Sequence, residues 1–288
     1  MRNKVILPLI LLNMLFGVGS AVMIALSSGS PIWIGSMMAT IPLPFFLMVM
    51  TSVFGITRTA ARLPLVQLLS LAGLGLVLYT LYGRGEGTQA TSDLVALVIT
   101  IIGAVFVQWY VWVYSSYGRK KSAAIVKGKL LPELPFKRLD GAPITSASFT
   151  GSKMLMVFFG VNWCPFCMGH LKEVLAKADR LADDGVQVKF ITNQSIEHSQ
   201  ALAKKLNLPS HVEILRDDDL LAAKALGIED IGGTPAGMSA YPKDTVKATV
   251  IALAEDGAVT FGDEPDNYRV RPHPNTFMHV FQQGGKSC

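Results

Sequence analysis

Hydrophobic residues are unevenly spread along this chain. Up to residue 117 they gather in four long runs, at about 5–27, 32–56, 63–82 and 94–114. Each is near the roughly 20 residues that a helix needs to cross a bilayer. None shows the polar face of a surface helix, and no Asp, Glu, Lys, Arg or His lies in their interiors. The runs therefore predict an all-α, four-helix transmembrane domain over 1–117. A cleaved signal peptide would explain only the first run, which lacks a clear small-residue cleavage site. Pro42 and Pro44 are expected to kink the second run. Gly17, Gly19, Gly73 and Gly75 are expected to let helices approach closely, and Asn13, Gln67 and Gln108 to bond between helices.

Past Tyr117 the pattern changes. A basic, helical connector over 118–135 is expected, ending in the turn-rich segment Leu131 to Pro135. A second domain then fills 136–288. Phe136 to Phe149 reads as a hairpin about Asp140-Gly141. Met154 to Phe159 reads as a buried strand, and Pro165 to Asp183 as a helical stretch. Further strands are expected at Val186 to Thr192 and Glu213 to Leu215. Helices are expected from the cap Ser195 to Leu206, from Asp219 to Leu226 with Gly227 closing it, and from Asn275 to Gln283. Ala248 to Leu253 and Ala258 to Phe261, across Asp256-Gly257, make a hairpin. Alternating strands and helices followed by a hairpin define an α/β domain, a mixed sheet flanked by helices.

Composition sharpens this division. The 288 residues are 50% hydrophobic and only 16% charged, with a net charge of +5. The basic excess suggests nucleic acid until its position is noted. Arg2, Lys4, Arg58, Arg62, Arg119, Lys120, Lys121, Lys127 and Lys129 flank the apolar runs, where they act as topology signals and contacts to anionic lipid. No nucleic-acid partner is expected; the lipid bilayer is. The remaining loops offer only Arg84 as a basic residue, beside Glu86 and Asp93. The positive-inside rule then puts both termini, and the second domain, on the cytoplasmic side of the inner membrane.

The chain has three cysteines, Cys164, Cys167 and Cys288, too few to staple a scaffold. Cys164-Pro165-Phe166-Cys167 follows a buried strand and opens a helix. A helix start favours an anion, so Cys164 is expected to have the lowered pKa and to react as thiolate. Cys167, one turn on, can close a disulfide. Pro165 suits the first helical position.

The run Phe158-Phe159-Gly160-Val161-Asn162-Trp163-Cys164-Pro165-Phe166-Cys167 resembles the strand–WCxxC–helix site of thioredoxin-like proteins. It is most similar to the AhpC/TSA redoxin group that includes TlpA- and ResA-like membrane-anchored oxidoreductases. Gly233-Thr234-Pro235 resembles that group's cis-proline loop, and the likeness covers about 130–288. It implies a thioredoxin-like fold and a thiol–disulfide oxidoreductase with Cys164 as nucleophile and Cys167 as resolving thiol. Trp163, Pro165 and Phe166 would shape the site, and Thr234 and Pro235 would present backbone to a protein or small-molecule thiol or disulfide. No cofactor is implied. The resemblance also implies a domain outside the cytoplasmic membrane, against the charge pattern.

Some features depart from the family. Phe158 stands where thioredoxins carry a buried acid, which leaves water or Glu173 as proton acceptor for Cys167. Peroxiredoxins place Pro and Thr before their peroxidatic cysteine; Gly160 and Cys164 hold those places before Cys167, and Val157 and Val161 before Cys164. Dithiol exchange is therefore expected ahead of direct peroxide reduction, and a peroxiredoxin-like peroxidase is the alternative reading. A further rival is a zinc or copper(I) site or copper/zinc chaperone using Cys164, Cys167 and His170 on one helical face; a redox-inert binding module is the last. His198, His211, His273 and His279 read as surface residues, Asp217-Asp218-Asp219 as an acidic helix start, and Arg269, Arg271 and His273 as a basic cluster on a solvated strand edge. Cys288 is expected to have no fixed role.

Overall fold

The computed structural model describes residues 2–84 and 91–283. Glu86 and Cys288 lie outside them. The chain divides into two compact units, Met1–Ser116 and Tyr117–Cys288.

The first unit is helical: α1 (Arg2–Leu26), α2 (Pro31–Thr40), α3 (Pro42–Phe45), α4 (Pro64–Arg84) and α5 (Thr91–Trp109), with π-helical turns at Phe46–Met50 and Tyr110–Tyr114. A 42° bend separates Pro31–Thr40 from Pro42–Met50, where the two prolines withhold backbone N–H groups. Three helices are long and apolar enough to cross a membrane, or four if the bent pair is one span. α2 is packed through small residues. A Cβ on Gly35 or Gly73 would strike the backbone oxygen of the other, and Gly103 abuts Ala39 and Thr40. Gly17 meets Ile41, while Gly19 and Gly75 face open space. Ser20 bonds to Ser36 across α1 and α2 at 2.9 Å. Gln67 and Gln108 both accept from the Trp112 indole, at 3.1 and 3.2 Å. Asn13 instead bonds back to Leu9 in its own helix.

The second unit holds a seven-stranded sheet in the order β2-β1-β5-β4-β3-β8-β9. Its strands are β1 (Pro135–Lys137), β2 (Pro143–Thr145), β3 (Lys153–Phe158), β4 (Val186–Thr192), β5 (Val212–Arg216), β8 (Thr249–Leu253) and β9 (Val259–Asp263). β3, β4 and β5 run parallel, and the other pairings are antiparallel. The short pair β6 (Glu229–Asp230) and β7 (Thr245–Val246) stands apart from this sheet. Five helices accompany the strands: α6 (Pro165–Leu175), α7 (Ala178–Asp183), α8 (Ile196–Leu206), α9 (Leu221–Leu226) and α10 (Pro274–Gln283). Successive side chains of a strand point to opposite faces, so β3 feeds two cores. Leu155 and Val157 pack with Leu171, Val174, Leu202 and Phe277, whereas Met154, Met156 and Phe158 pack with Phe136, Leu215 and Leu226. Both expected hairpins are present, and Ser195 caps α8 by accepting from His198 N–H at 3.3 Å. The acidic run is a cap as well: Asp217 accepts from Ala222 and Ala223 N–H at 2.8 Å each. The stretch expected as one helix from Pro165 to Asp183 is two, parted at Ala176 and Lys177.

The connector after Tyr117 is not helical: residues 118–134 contain no helix. Its donors are drawn to the acids around the end of β9 instead of to carbonyls one turn back. Arg119 N–H bonds Asp266 Oδ1 at 3.0 Å, and Ser122 N–H bonds Glu264 Oε1 at 3.0 Å. The Arg119 guanidinium reaches Glu264 at 2.8 Å, with the two side chains only 2% and 5% exposed. It also donates to Ala248 O and to Thr249 Oγ1, at 3.2 Å each. The segment is part of the domain's packing. Removing one partner of a buried pair strands the other charge. Glu264→Ala should therefore lower the unfolding free energy of the second unit by about 3–5 kcal/mol, read by denaturant titration of an environment-sensitive signal from that unit.

Candidate active site

The site begins where β3 ends. Main-chain hydrogen bonding continues one residue past the strand, Phe159 N–H to Ile191 O at 2.9 Å, and the chain then turns through Gly160 to Trp163. Cys164 N–H closes the turn on Val161 O at 3.3 Å. Cys164 is the N-cap residue of α6 and Pro165 its first helical residue. Cys167 therefore lies in the first helical turn, facing inward among Leu155, Val157 and Leu171. Cys167 is 5% exposed and Cys164 is half-buried. Trp163 and Pro165 are half-buried beside the pair. Phe166 is buried and meets Tyr268 edge-on at 5.9 Å.

The segment after β9 completes the site, and it overturns the expectation of a solvated basic cluster. Arg269 is 1% exposed. Arg271 turns its guanidinium inward and donates from Nη2 to Cys167 Sγ at 3.5 Å. Its other terminal nitrogen donates to Tyr268 O and Val270 O, at 2.6 and 2.7 Å. Of that cluster, His273 alone is exposed. His198 and His211 are half-buried, while His279 is at the surface as expected.

This cation changes the acidity of the pair. The Cys164 thiol donates to Cys167, the Arg271 guanidinium sits beside it, and the Gly160 backbone N–H points at it; against burial, these bring Cys167 down to about 5. Cys164, as the donor in that bond and itself desolvated, is pushed well above the ordinary thiol range. The helix start was expected to make Cys164 the thiolate, but the arginine and the inward donors give that state to Cys167. Phe158 packs in the second core and offers no proton acceptor, and the group against Cys167 is a cation that favours its thiolate. Tyr117 belongs to the same charged cluster: burial pushes its phenol up, and Arg271, Asp230 and both thiols are the charges that act on it.

Thr234 and Pro235 are half-buried in the loop between β6 and β7. Thr234 bonds within that loop, Oγ1 to Pro242 O at 2.7 Å and N–H to Lys243 O at 3.2 Å. The described residues contain no cis peptide bond, so Thr234–Pro235 is trans and differs from the cis-proline loop that the resemblance implied. The loop is tied to the cysteine turn by Tyr241, which bonds Asn162 at 2.6 Å. His170 is buried one turn after Cys167. Among the described residues, no group of three or more His, Cys, Asp or Glu is arranged to hold a metal ion.

Arg271, Tyr117 and Tyr241 were not legible as site residues. The only signal for Arg271 was its spacing of two from Arg269 in a proline-flanked segment, which puts both arginines on one face without saying that the face is turned inward.

A buried strand leading into a cysteine pair at a helix start, on a mixed sheet with helices on both faces, is a thioredoxin-like fold. The AhpC/TSA family model matches residues 128–258 of this chain. A chloroplastic peroxiredoxin Q of Sedum lineare is 28% identical over 129 residues, covering 44% of this chain and 68% of that protein. Among solved structures, reduced Prx3 in complex with H2O2 from Vibrio vulnificus has 20% identity and a TM-score of 0.48, covering 57% of this chain and 99% of its own. A thiol peroxidase from Chromobacterium violaceum has 18% identity and a TM-score of 0.46, covering 60% and 97%. The family match supports thiol-based oxidoreductase chemistry.

The reactive form is the thiolate, so alkylation of Cys167 should hold its plateau down to about pH 5 and decline below it. In Arg271→Met the decline should begin at least about one pH unit higher, because the charge that favours the thiolate is gone. The measurement is the rate of iodoacetamide labelling at Cys167 against pH; an unmoved inflection would remove Arg271 from this role.

Proposed function

We propose that this chain is a membrane-anchored thiol peroxidase in which Cys167 attacks a hydroperoxide and Cys164 resolves the product. The observation that carries the reading is the Arg271 guanidinium 3.5 Å from Cys167 Sγ. It favours the thiolate at the buried cysteine and leaves the half-exposed one protonated. A buried thiolate suits a small electrophile such as a peroxide and is poorly placed to attack a protein disulfide directly. The similarity to peroxiredoxin Q points the same way.

The two places at which the sequence departs from the peroxiredoxin pattern then acquire a physical role. Gly160 offers Cys167 a backbone N–H that a proline there would lack. Cys164 supplies an S–H donor where a threonine would supply a hydroxyl.

In the first step the Cys167 thiolate attacks one peroxide oxygen. The S–O bond forms, the O–O bond breaks, sulfur loses two electrons, and the departing oxygen leaves as alkoxide or hydroxide. That anion takes the proton of Cys164 and becomes alcohol or water. The Cys164 thiolate then attacks the Cys167 sulfenic sulfur, the S–S bond forms, and hydroxide leaves to be protonated by solvent. An external dithiol restores the pair. Its thiolate meets Cys164, the more exposed sulfur, and expels Cys167, the better leaving group because its pKa is low. That exposure also supports the second reading, dithiol–disulfide exchange with a protein partner at Cys164.

The anchor reading rests on the apolar helices of the first unit, whose Leu15, Leu65, Leu68 and Val105 point outward and are exposed. A cytoplasmic position for the domain rests on the basic residues flanking the runs.

Two experiments test this. Cys167→Ser should abolish peroxide consumption, whereas Cys164→Ser should complete one turnover and hold a sulfenic acid at Cys167 that dimedone traps. Insulin reduction by the wild-type protein, stalled in Cys167→Ser as a mixed disulfide on Cys164, would favour exchange through Cys164 instead. A membrane-impermeant maleimide applied to intact cells should leave Cys164 unlabelled until the membrane is opened; labelling from outside would overturn the cytoplasmic assignment.

A further inference from the structure

The peroxide chemistry makes no use of a hydrogen-bonded network on the outer side of the cysteine turn. Tyr241 donates its hydroxyl to Asn162 Oδ1 at 2.6 Å. Its ring lies flat on His198, with centroids 4.3 Å apart and planes 16° from parallel. Asn162 also gives its side-chain nitrogen to His198 O at 3.4 Å, and its backbone N–H to Gln194 Oε1 at 3.0 Å. Gln194 is itself buried, at 1% exposure. On the other side, the loop carrying Tyr241 is held by Asn193, which donates to Asp244 O at 2.8 Å, and by Thr234, bonded to Pro242.

Asn162 stands two residues before Cys164, inside the turn that the 3.3 Å bond from Cys164 N–H to Val161 O closes. Such a turn is soft by itself, because one backbone bond spans it and the helix begins only at Pro165. Its orientation, and with it the direction of Cys164 Sγ, is therefore set by what holds Asn162. The firmest of those contacts is the phenol of Tyr241, which arrives from a segment 79 residues away in sequence.

We propose that Tyr241 is a positioning residue of the thiol pair: by clamping Asn162 it holds the Val161–Cys164 turn with Cys164 directed at Cys167, and so favours the disulfide over the dithiol. The inference rests on Cys164 and Cys167 being a redox pair and is independent of peroxide as the oxidant. Ring closure is easier when the second sulfur is already oriented, since less conformational freedom is lost when the bond forms. The position of Tyr241 in the loop between β6 and β7 would then make the reduction potential depend on that loop.

The test is the equilibrium of the full-length protein with dithiothreitol, in which protein disulfide and reduced reagent give protein dithiol and oxidised reagent. Tyr241→Phe keeps the ring stack and loses the hydroxyl. It should shift the equilibrium about tenfold toward the dithiol, about 30 mV more oxidising. Asn162→Ala should give the same shift, and the double variant no more than either single one. In a Cys167→Ser background, Tyr241→Phe should also speed alkylation of Cys164. Equilibrium constants within a factor of two of wild type in both single variants would overturn the proposal, as would additive shifts in the double variant. A lowered melting temperature with an unchanged equilibrium would make Tyr241 merely structural, and would overturn it too. If the wild-type protein consumes no peroxide while the Tyr241→Phe shift is present, the peroxidase reading fails and the clamp stands.

Discussion

The contact between the Arg271 guanidinium and the Cys167 sulfur is the constraint around which the site is organised. A thiolate among Leu155, Val157 and Leu171 would be too costly to desolvate without a nearby positive charge. The same guanidinium would be costly to turn inward without acceptors. Tyr268 O and Val270 O engage one of its terminal nitrogens, and Cys167 the other. Each charge thus permits the other to leave water, and both are held by backbone that has little freedom. Cys167 is fixed by the first turn of α6, and Arg271 lies between Val270 and Pro272, just before α10.

This arrangement divides labour between two cysteines that look alike on paper. A helix N-terminus favours an anion on either of them, and that modest effect is confined to the first turn. A guanidinium within hydrogen-bond reach on one side of the helix is not shared equally. It selects the sulfur on the inward face, and the S–H of the outer cysteine becomes a donor to it. On the proposed peroxidase reading asymmetric chemistry follows: the buried sulfur meets small oxidants, and the outer one meets whatever restores the pair. Tyr241 and Asn162 act on the outer cysteine as Arg271 acts on the inner one, and the two supports come from different segments, before β7 and after β9.

The domain also shows how a connector becomes structure. Five basic residues between Arg119 and Lys129 suggested a charged helix leaving the bilayer. The ion pair of Arg119 with Glu264, and the backbone donors satisfied by Glu264 and Asp266, draw the start of that segment against the end of β9 instead. Neighbouring Tyr117 is thereby placed in the charged cluster around Arg271. Residues that composition assigned to the membrane boundary contribute to the environment of the thiols.

Local pattern carried much of this molecule. The apolar runs announced the helices of the first unit, and Pro42 and Pro44 their bend. Period-two and 3.6-residue spacing announced the sheet strands, both hairpins and the caps at Ser195 and Gly227, because these depend on neighbours within a few residues. Cys164-Pro165-Phe166-Cys167 was legible for the same reason, as a motif whose geometry is local. What the sequence by itself left open was which cysteine bears the charge, which groups favour that charge, and what holds the turn before Cys164. Those answers come from Arg271, Gly160 and Tyr241. The two distant ones, Arg271 and Tyr241, lie 104 and 79 residues along the chain from the groups they touch. Electrostatic and hydrogen-bonding effects follow distance in space, and folding alone brings those residues within 4 Å of the site.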